Sequence, residues 1–373
     1  MQTRIIKLDA DKVDMSKIEE AVALVDSGGL VAFPTETVYG IACRVSSDSL
    51  IKLDRLKGRN PEKRYTLHIG QETETREYVP TVGLRTQKLI KKAWPGPLTI
   101  VFELDEQDVN KQRKSLDTEV FKSLYGDNSI GIRCPDHPIA LALLQLSHGP
   151  VVAPSANITG QEPAVDGQEV LAQLSGRIEL LLDAGPCKYK KSSTVVKVGK
   201  KGVEVLRPGV YSKTDVEALA VVQFLFVCTG NTCRSPMAEG IFRKYLAEKL
   251  RCKVDDLGRM GYKVVSAGVM DMAGASASTG AIAACAAKGI DIRAHQTTRL
   301  SPQLVEESDL IFAMERMHQG TVAALSPEAT DRCVLLAENK DIPDPIGQPQ
   351  DLFNNCAELI EKAVKKRIDE LVI

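Results

Sequence analysis

Residues 224 to 250 join an apolar run, Phe224-Leu225-Phe226-Val227, to an amphipathic stretch, Met237 to Leu250, through the tight turn CTGNTCRSP. A short apolar run bounded by a turn reads as a buried strand, and the amphipathic stretch reads as a helix. The chain then alternates to its end: YKVVSAG extended, TGAIAACAAKG helical, LIFAME extended, a further helix, CVLLA extended and CAELIEKAVKKRIDEL helical. Alternation of this kind predicts a small doubly wound parallel sheet with flanking helices, since each crossover must return across a sheet face. Ligands of such sheets bind beyond the C-terminal strand ends, and the turn lies at the end of this domain's first strand.

Gly230 lets the turn aim backbone N–H groups inward, and the helix starting near Arg234 adds the positive end of its dipole. Pro236 suits a first helical turn, where a missing N–H costs little. Arg234 offers a planar fork to two oxygens of one phosphate. The turn therefore reads as a nest for a dianion. The same field favours a thiolate, so Cys228 is expected to have a pKa below the ordinary ~8.5. At the loop entrance its sulfur is placed to attack a bound phosphorus and form a phosphocysteine. Ser235 is placed to donate to that sulfur. A lone cysteine beside a turn is ordinarily a small core residue. The combination of cysteine, five residues and then Arg-Ser at a strand-to-helix turn points to chemistry instead.

These residues resemble the low-molecular-weight protein-tyrosine phosphatases, from about Val221 to the C-terminus. The resemblance rests on C-x5-R-S with GN inside it, on the proline after the serine, on Ser266-Ala267-Gly268, and on DIPDPIG near the end. It implies that the loop Thr229-Gly230-Asn231-Thr232-Cys233 cradles phosphate, with Asn231 holding its shape. It implies an aspartate in an Asp-Pro dipeptide that protonates the leaving group, here Asp344. The residues alone leave Asp341 as a competitor. Cys233 resembles the family's second loop cysteine, which forms a disulfide with the nucleophile and shields it from overoxidation. Two departures bear on substrate. Thr232 stands where many tyrosine phosphatases carry a larger aliphatic residue, and Ile346-Gly347 stands where eukaryotic members carry aromatic residues. Bacterial protein-arginine phosphatases of the family share CTGNTCRSPMA closely. The expected substrate is a phosphoprotein bearing phosphoarginine or phosphotyrosine, with the arginine favoured and no cofactor required.

The first half mixes strands (GLVAFPTETVYG, TLHIG, LTIVFEL, SIGIRCP, VVAPSA, LLLDAG, STVVKVG, VEVLRPG) with helical runs (Met15 to Ser27, DSLIKLDRL, LRTQKLIKKAW, HPIALALLQL, GQEVLAQL). Many strands with several helices predict an α/β domain built on a twisted mixed sheet. Residues 211–220 read as a linker between a domain over 1–210 and a domain over 221–373. Thr35, Glu36, Thr37 and Tyr39 lie on the tail of a buried strand, where hydroxyls hold a small polar substrate. Lys57, Arg59 and Lys63 follow a helical run. Arg133, Ser155, Asn157, Ser193, Thr194 and Arg207 fall at strand ends. Taken singly, each is most simply a turn, a cap or a solvated charge. Several basic residues and hydroxyls at strand ends together favour a polyphosphate.

In order along the chain, PTETVYG, Lys57-x-Arg59, WPGPLT, IRCPDHP, Ser155-x-Asn157, SSTVV and LRPG resemble the YrdC-like threonylcarbamoyl-AMP synthases. The resemblance implies that L-threonine, bicarbonate and ATP yield threonylcarbamoyl-AMP and pyrophosphate, feeding modification of adenosine 37 in tRNAs. It assigns Lys57, Arg59 and Lys63 to nucleotide phosphates and the carbamoyl group, and Thr35 and Tyr39 to the threonine site. Arg133, Ser155, Asn157, Ser193 and Arg207 then hold nucleotide and intermediate. With neither nucleophile nor acid–base dyad evident, catalysis rests on positioning and charge neutralisation. Mg²⁺ is expected with ATP, although no carboxylate cluster declares a metal site. RNA, double-stranded RNA included, or the tRNA-modification machinery is an expected partner. A second reading makes this half an RNA- or nucleotide-binding module without synthase activity.

Bulk properties narrow the setting. The 373 residues carry a formal net charge of −1, so phosphate or nucleic-acid recognition must come from local patches. Nine cysteines without a C-x-x-C pair fit neither a zinc ribbon nor a secreted disulfide framework, and a reducing cytoplasmic location is expected. The opening stretch lacks a basic region followed by an apolar core, so no signal peptide is expected. No run approaches the ~18 apolar residues of a membrane span, so no membrane partner is expected.

Overall fold

A computed structural model describes residues 2–58, 64–199, 202–272 and 274–372. The chain divides into two compact units, one formed by residues 1–82 and 86–220, the other containing 221–373.

The first unit is built on one mixed sheet of eleven strands. They are β1 (Arg4–Lys7), β2 (Val31–Phe33), β3 (Gly40–Arg44), β4 (Thr66–His68), β5 (Leu98–Glu103), β6 (Tyr125–Gly126), β7 (Ser129–Arg133), β8 (Val151–Val152), β9 (Leu180–Asp183), β10 (Thr194–Gly199) and β11 (Gly202–Arg207). Their order is β1-β9-β2-β3-β8-β4-β7-β5-β10-β11, with β6 beside β7. β2 and β3 pair antiparallel, whereas β4–β7 and β5–β10 pair parallel. Helices cover both faces. Ile18, Val22 and Val25 of the helix Met15–Asp26 pack with Ile139 and Leu143 of the helix Pro138–Leu146 over Val31 and Phe33. Leu53 and Leu89 lie in the core of the other face, with Leu67, Ile100 and Ile132. Each such side chain contributes ~1.5–3 kcal/mol on burial.

Residues 211–220, expected as a linker, hold the helix Lys213–Leu219. Ser212 and Asp215 cap it reciprocally, and Val216 and Ala220 are buried in the first unit's core.

The second unit carries four strands, all parallel: β12 (Val222–Cys228), β13 (Tyr262–Gly268), β14 (Leu310–Ala313) and β15 (Cys333–Leu335), in the order β13-β12-β14-β15. Every residue of β12 is buried. Its alternation splits between faces, as a pleated strand must. Phe224 and Phe226 meet Phe242 and Phe312 on one side, with ring centroids 4.8–5.9 Å apart. Leu225 and Val227 meet Ile311 and Ala313 on the other. The helices Arg234–Leu250 and Gln350–Glu370 lie on the aromatic side, where Ile241, Phe242, Phe353 and Ile360 join that core. β12 thus points Cys228 at the C-terminal edge of the sheet, and the loop residues follow it.

Candidate active sites

In the second unit the loop Cys228–Cys233 is organised around Asn231, whose backbone is left-handed (φ 56°). Its N–H donates to Cys228 Sγ (3.2 Å) and its carbonyl accepts from His295 Nε2 (2.8 Å). Its Nδ2 donates to Ser235 Oγ (2.8 Å) and Ser266 Oγ (2.9 Å), while Oδ1 accepts from the Thr298 N–H (2.8 Å). β13 reaches the loop at Gly268. A Cβ there would lie 2.9 Å from Thr229 O, Gly230 C and Asn231 N, so only glycine admits this approach.

Ser235 Oγ sits 2.9 Å from Cys228 Sγ. Arg234 is 1% exposed. Its Nη1 meets Glu315 and donates to Ile342 O (2.9 Å); its Nη2 meets Asp344 and donates to Thr229 Oγ1 (3.1 Å). Its Nε is buried without a partner among the described residues, and a buried unpaired donor is costly. An anion in the loop would satisfy it. Asp344 therefore stands at the arginine, whereas Asp341 accepts from the Arg316 N–H (3.0 Å). Thr232 Oγ1 lies 3.5 Å from Cys233 Sγ, which is 3.2 Å from Ser278 Oγ; all nine cysteines are free thiols.

The expected depression of the Cys228 pKa is not what this arrangement holds. Burial pushes the thiol up, against the opposing pull of Ser235, Arg234 and the Asn231 N–H. Cys228 is 2% exposed, and Glu315 and Asp344 already meet the charge of Arg234. Glu315, His318 and His295 belong to the site but carry no signal in their own segments, whereas Ser266 lies in the Ser266-Ala267-Gly268 segment that the sequence singles out. Ser266 lies on β13, Glu315 just after β14, His318 in the helix Arg316–Leu325 and His295 outside the strands, 35 to 89 residues away from their partners.

In the first unit a cavity of about 310 Å³ is lined by Thr35, Tyr39, Lys57, Arg133, Ser155, Ser193 and Arg207, among others. Arg133 donates through Nη2 to Glu36 Oε1 (2.8 Å) and Thr37 Oγ1 (2.6 Å), and its buried Nε has no partner. Arg207 donates to Ser193 O (2.9 Å). Partial burial, then the charge of Arg133, push Arg207 below its ordinary pKa. Two guanidiniums on one cavity with hydroxyls between them form a site for an anion.

Several other expected residues also hold backbone in place. Lys57 Nζ is buried and donates to Ser155 O (2.5 Å) and Asn157 O (2.8 Å), fixing that turn. Asn157 spends its amide on Ile158 O (3.0 Å) and Gln161 O (2.7 Å), and its Oδ1 accepts from Ser155 Oγ (2.5 Å). The Tyr39 hydroxyl donates to Gly185 O (2.8 Å) and accepts from the Ala184 N–H (3.2 Å). Thr194 Oγ1 bonds Tyr211. Arg59 and Lys63 lie outside the described residues. His68 also lines the cavity, and TLHIG gives no signal that singles it out. Burial, the nearby Arg133 charge adding to it, pushes its pKa down to about 3. Glu36 is committed to Arg133 and to the Asp136 N–H (3.1 Å), and among the described residues no cluster of His, Cys, Asp or Glu is arranged to hold a metal ion. No side-chain set for Mg²⁺ is assembled among the described residues. Among the described residues no helix is long and apolar enough to cross a membrane.

Fold and geometry define two α/β units, each with a buried arginine whose Nε has no partner among the described residues. The first unit's residues 23–209 match the Sua5/YciO/YrdC family model, described as "Telomere recombination", and residues 223–372 match the low molecular weight phosphotyrosine protein phosphatase model. The chain belongs to the Sua5/YciO/YrdC family and carries a low-molecular-weight phosphatase domain fused behind it. It is 33% identical over 204 residues to a threonylcarbamoyl-AMP synthase of Bacillus subtilis, a match that spans 54% of this chain and 56% of that protein. The chain thus spans about half the length of such curated relatives. The structure of P. abyssi Sua5 complexed with L-threonine shares the fold, with a TM-score of 0.52 at 20% identity over 97% of this chain and 98% of that one. A low molecular weight protein tyrosine phosphatase from T. tengcongensis is 33% identical, covering 40% of this chain and 99% of its own, with a TM-score of 0.36.

Proposed function

We propose that the chain is a bifunctional enzyme. The first unit makes threonylcarbamoyl-AMP from L-threonine, bicarbonate and ATP, releasing pyrophosphate, for modification of adenosine 37 in tRNAs. Arg133 and Arg207 neutralise charge on the substrates, while Thr35, Ser155 and Ser193 orient them in the 310 Å³ cavity. The convergence of two arginines on that cavity carries the reading. Pyrophosphate release that requires threonine and bicarbonate together tests it. Release independent of either would favour a binding module that has lost synthesis.

The second unit removes phosphoryl groups from protein. A dianionic phosphoryl group takes the unpaired Nε–H of Arg234 and displaces Asp344 from Nη2, giving the bidentate fork. With its charge partner withdrawn, Asp344 takes up the proton that the Cys228 thiol gives up, and Arg234 and Ser235 stabilise the resulting thiolate. The sulfur attacks phosphorus, the bond from phosphorus to the leaving oxygen or nitrogen breaks, and Asp344 gives that atom its proton. Water then attacks the phosphocysteine, Asp344 recovers a proton, and the thiolate leaves with Ser235 donating to it. The unpaired Arg234 Nε beside the Cys228–Ser235 pair carries this reading. Thr232 and Ile346, which set a small polar group and no aromatic wall around the loop, favour phosphoarginine over phosphotyrosine. Hydrolysis of matched phosphoarginine and phosphotyrosine peptides by the full chain tests the preference, and faster turnover of the tyrosine peptide would reverse it.

A further inference from the structure

We propose that the Thr229 hydroxyl is a substrate-binding donor of the phosphate loop and that the buried His318 positions it. The inference rests on the phosphatase reading above.

Thr229 Oγ1 has two neighbours within hydrogen-bond distance, His318 Nε2 at 3.0 Å and Arg234 Nη2 at 3.1 Å. The direction of the first bond is fixed by the chain. The Glu315 N–H donates to His318 Nδ1 at 3.1 Å, so that nitrogen presents its lone pair and the ring proton sits on Nε2. Burial favours this neutral ring, and His318 is 0% exposed. The second bond runs one way because a guanidinium only donates. The threonine oxygen therefore accepts twice, and its own proton must point elsewhere. Among the described residues no group takes that proton.

A hydroxyl that accepts two hydrogen bonds, one of them from a cation, is polarised toward donation. Its place suits a phosphoryl oxygen. Thr229 follows the nucleophile directly, and the Nη2 that holds it belongs to the same fork as the unpaired Nε of Arg234. An oxygen that satisfies Nε lies along that fork, with Thr229 at its edge. Packing alone would be served equally by valine, which has the same shape. Valine would also strip His318 Nε2 and Arg234 Nη2 of an acceptor. The neighbouring loop threonine lacks this arrangement, since Thr232 Oγ1 has only the Cys233 sulfur at 3.5 Å.

The test uses the full chain, with p-nitrophenyl phosphate as substrate and inorganic phosphate as competitive inhibitor. Thr229→Val is expected to lose about 10- to 100-fold in kcat/KM, the worth of one hydrogen bond to a charged group, and to weaken phosphate inhibition in parallel. Thr229→Ser is expected to recover most of that loss. His318→Phe is expected to lose about 10-fold alone and nothing further in the Thr229→Val background, because it acts through that hydroxyl. Thr229→Val remaining within about twofold of the parent would overturn the donor role. So would a serine variant no better than valine. A His318→Phe loss that adds in full to that of Thr229→Val would overturn the positioning role. A parent chain that neither turns over the ester nor binds phosphate would bring down the phosphatase reading itself, and this inference with it.

Discussion

Gly268→Ala places a methyl carbon 2.9 Å from three backbone atoms of the phosphate loop: Thr229 O, Gly230 C and Asn231 N. Carbon contacts are favourable near ~3.5–4.0 Å, so the loop or β13 must retreat by roughly half an ångström or more. Neither is free to do so. β13 is paired with β12 along its whole length, and Asn231 ties the loop to Ser235, Ser266, Thr298 and His295. Overpacking of this kind costs about 1–3 kcal/mol. Since a 1 Å misplacement of reacting groups costs about 100-fold, kcat on p-nitrophenyl phosphate is expected to fall about 10- to 100-fold. Gly320→Ala supplies the contrast within the same unit. Gly320 lies in the helix Arg316–Leu325 and faces open space, so an added methyl meets no neighbour and alanine there is expected to gain ~0.5–1 kcal/mol. Urea unfolding and steady-state kinetics read both variants. If Gly268→Ala matched the parent in stability and kcat, the close approach of β13 to the loop would not be what shapes the site.

Asp344→Asn is expected to lower kcat about 100- to 10,000-fold on poor leaving groups and far less on p-nitrophenyl phosphate; equal losses across a leaving-group series would remove the acid assignment. Glu36→Ala leaves Arg133 buried without its counter-charge, and is expected to destabilise the first unit by about 3–5 kcal/mol in urea unfolding; an unchanged midpoint would contradict the pairing. His68 titrates near 6.5 when unfolded and at about 3 in the fold. Its contribution to stability is therefore complete above pH 6.5 and declines as the pH falls toward the folded value, by about 3 kcal/mol at pH 4. His68→Leu should flatten that part of the first unit's pH–stability curve, and an identical slope in the variant would refute it.

The second unit is legible in the sequence because its signals are local. The strand, the C-x5-R-S turn and the helix lie within one stretch, and each later strand and helix has its own periodicity. Not all the residues that complete the loop are legible. Ser266-Ala267-Gly268 stands out in the sequence, although its contact with the loop comes only from β13 lying beside β12; Glu315 and His318 reach it only because β14 lies beside β12. In the first unit the edge strand Arg4–Lys7 is mostly exposed and has no buried alternation to read, and its partner β9 lies far along the chain. Residues 211–220 hold a readable signal, Ser212-x-x-Asp215, which starts a helix, but Pro208 and Gly209 mask it as a connector. The lysine of the K-x-R pair ends the helix Ser47–Lys57, and the asparagine of the S-x-N pair lies in the turn after β8. Which of their polar atoms face the cavity, and which are spent on holding backbone, depends on contacts about 100 residues apart, such as Lys57 to Asn157. The Cys228 pKa escapes the sequence for a related reason. The carboxylates that meet the charge of Arg234 arrive from elsewhere in the chain.

Rapid acid quench of the full chain during turnover of p-nitrophenyl phosphate, followed by mass spectrometry of the peptide containing residue 228, tests the nucleophile directly. Phosphate on the sulfur of Cys228 in the parent, with neither adduct nor turnover in Cys228→Ser, is the predicted result. Undiminished turnover in Cys228→Ser, or a phosphoryl adduct on another residue, would contradict it.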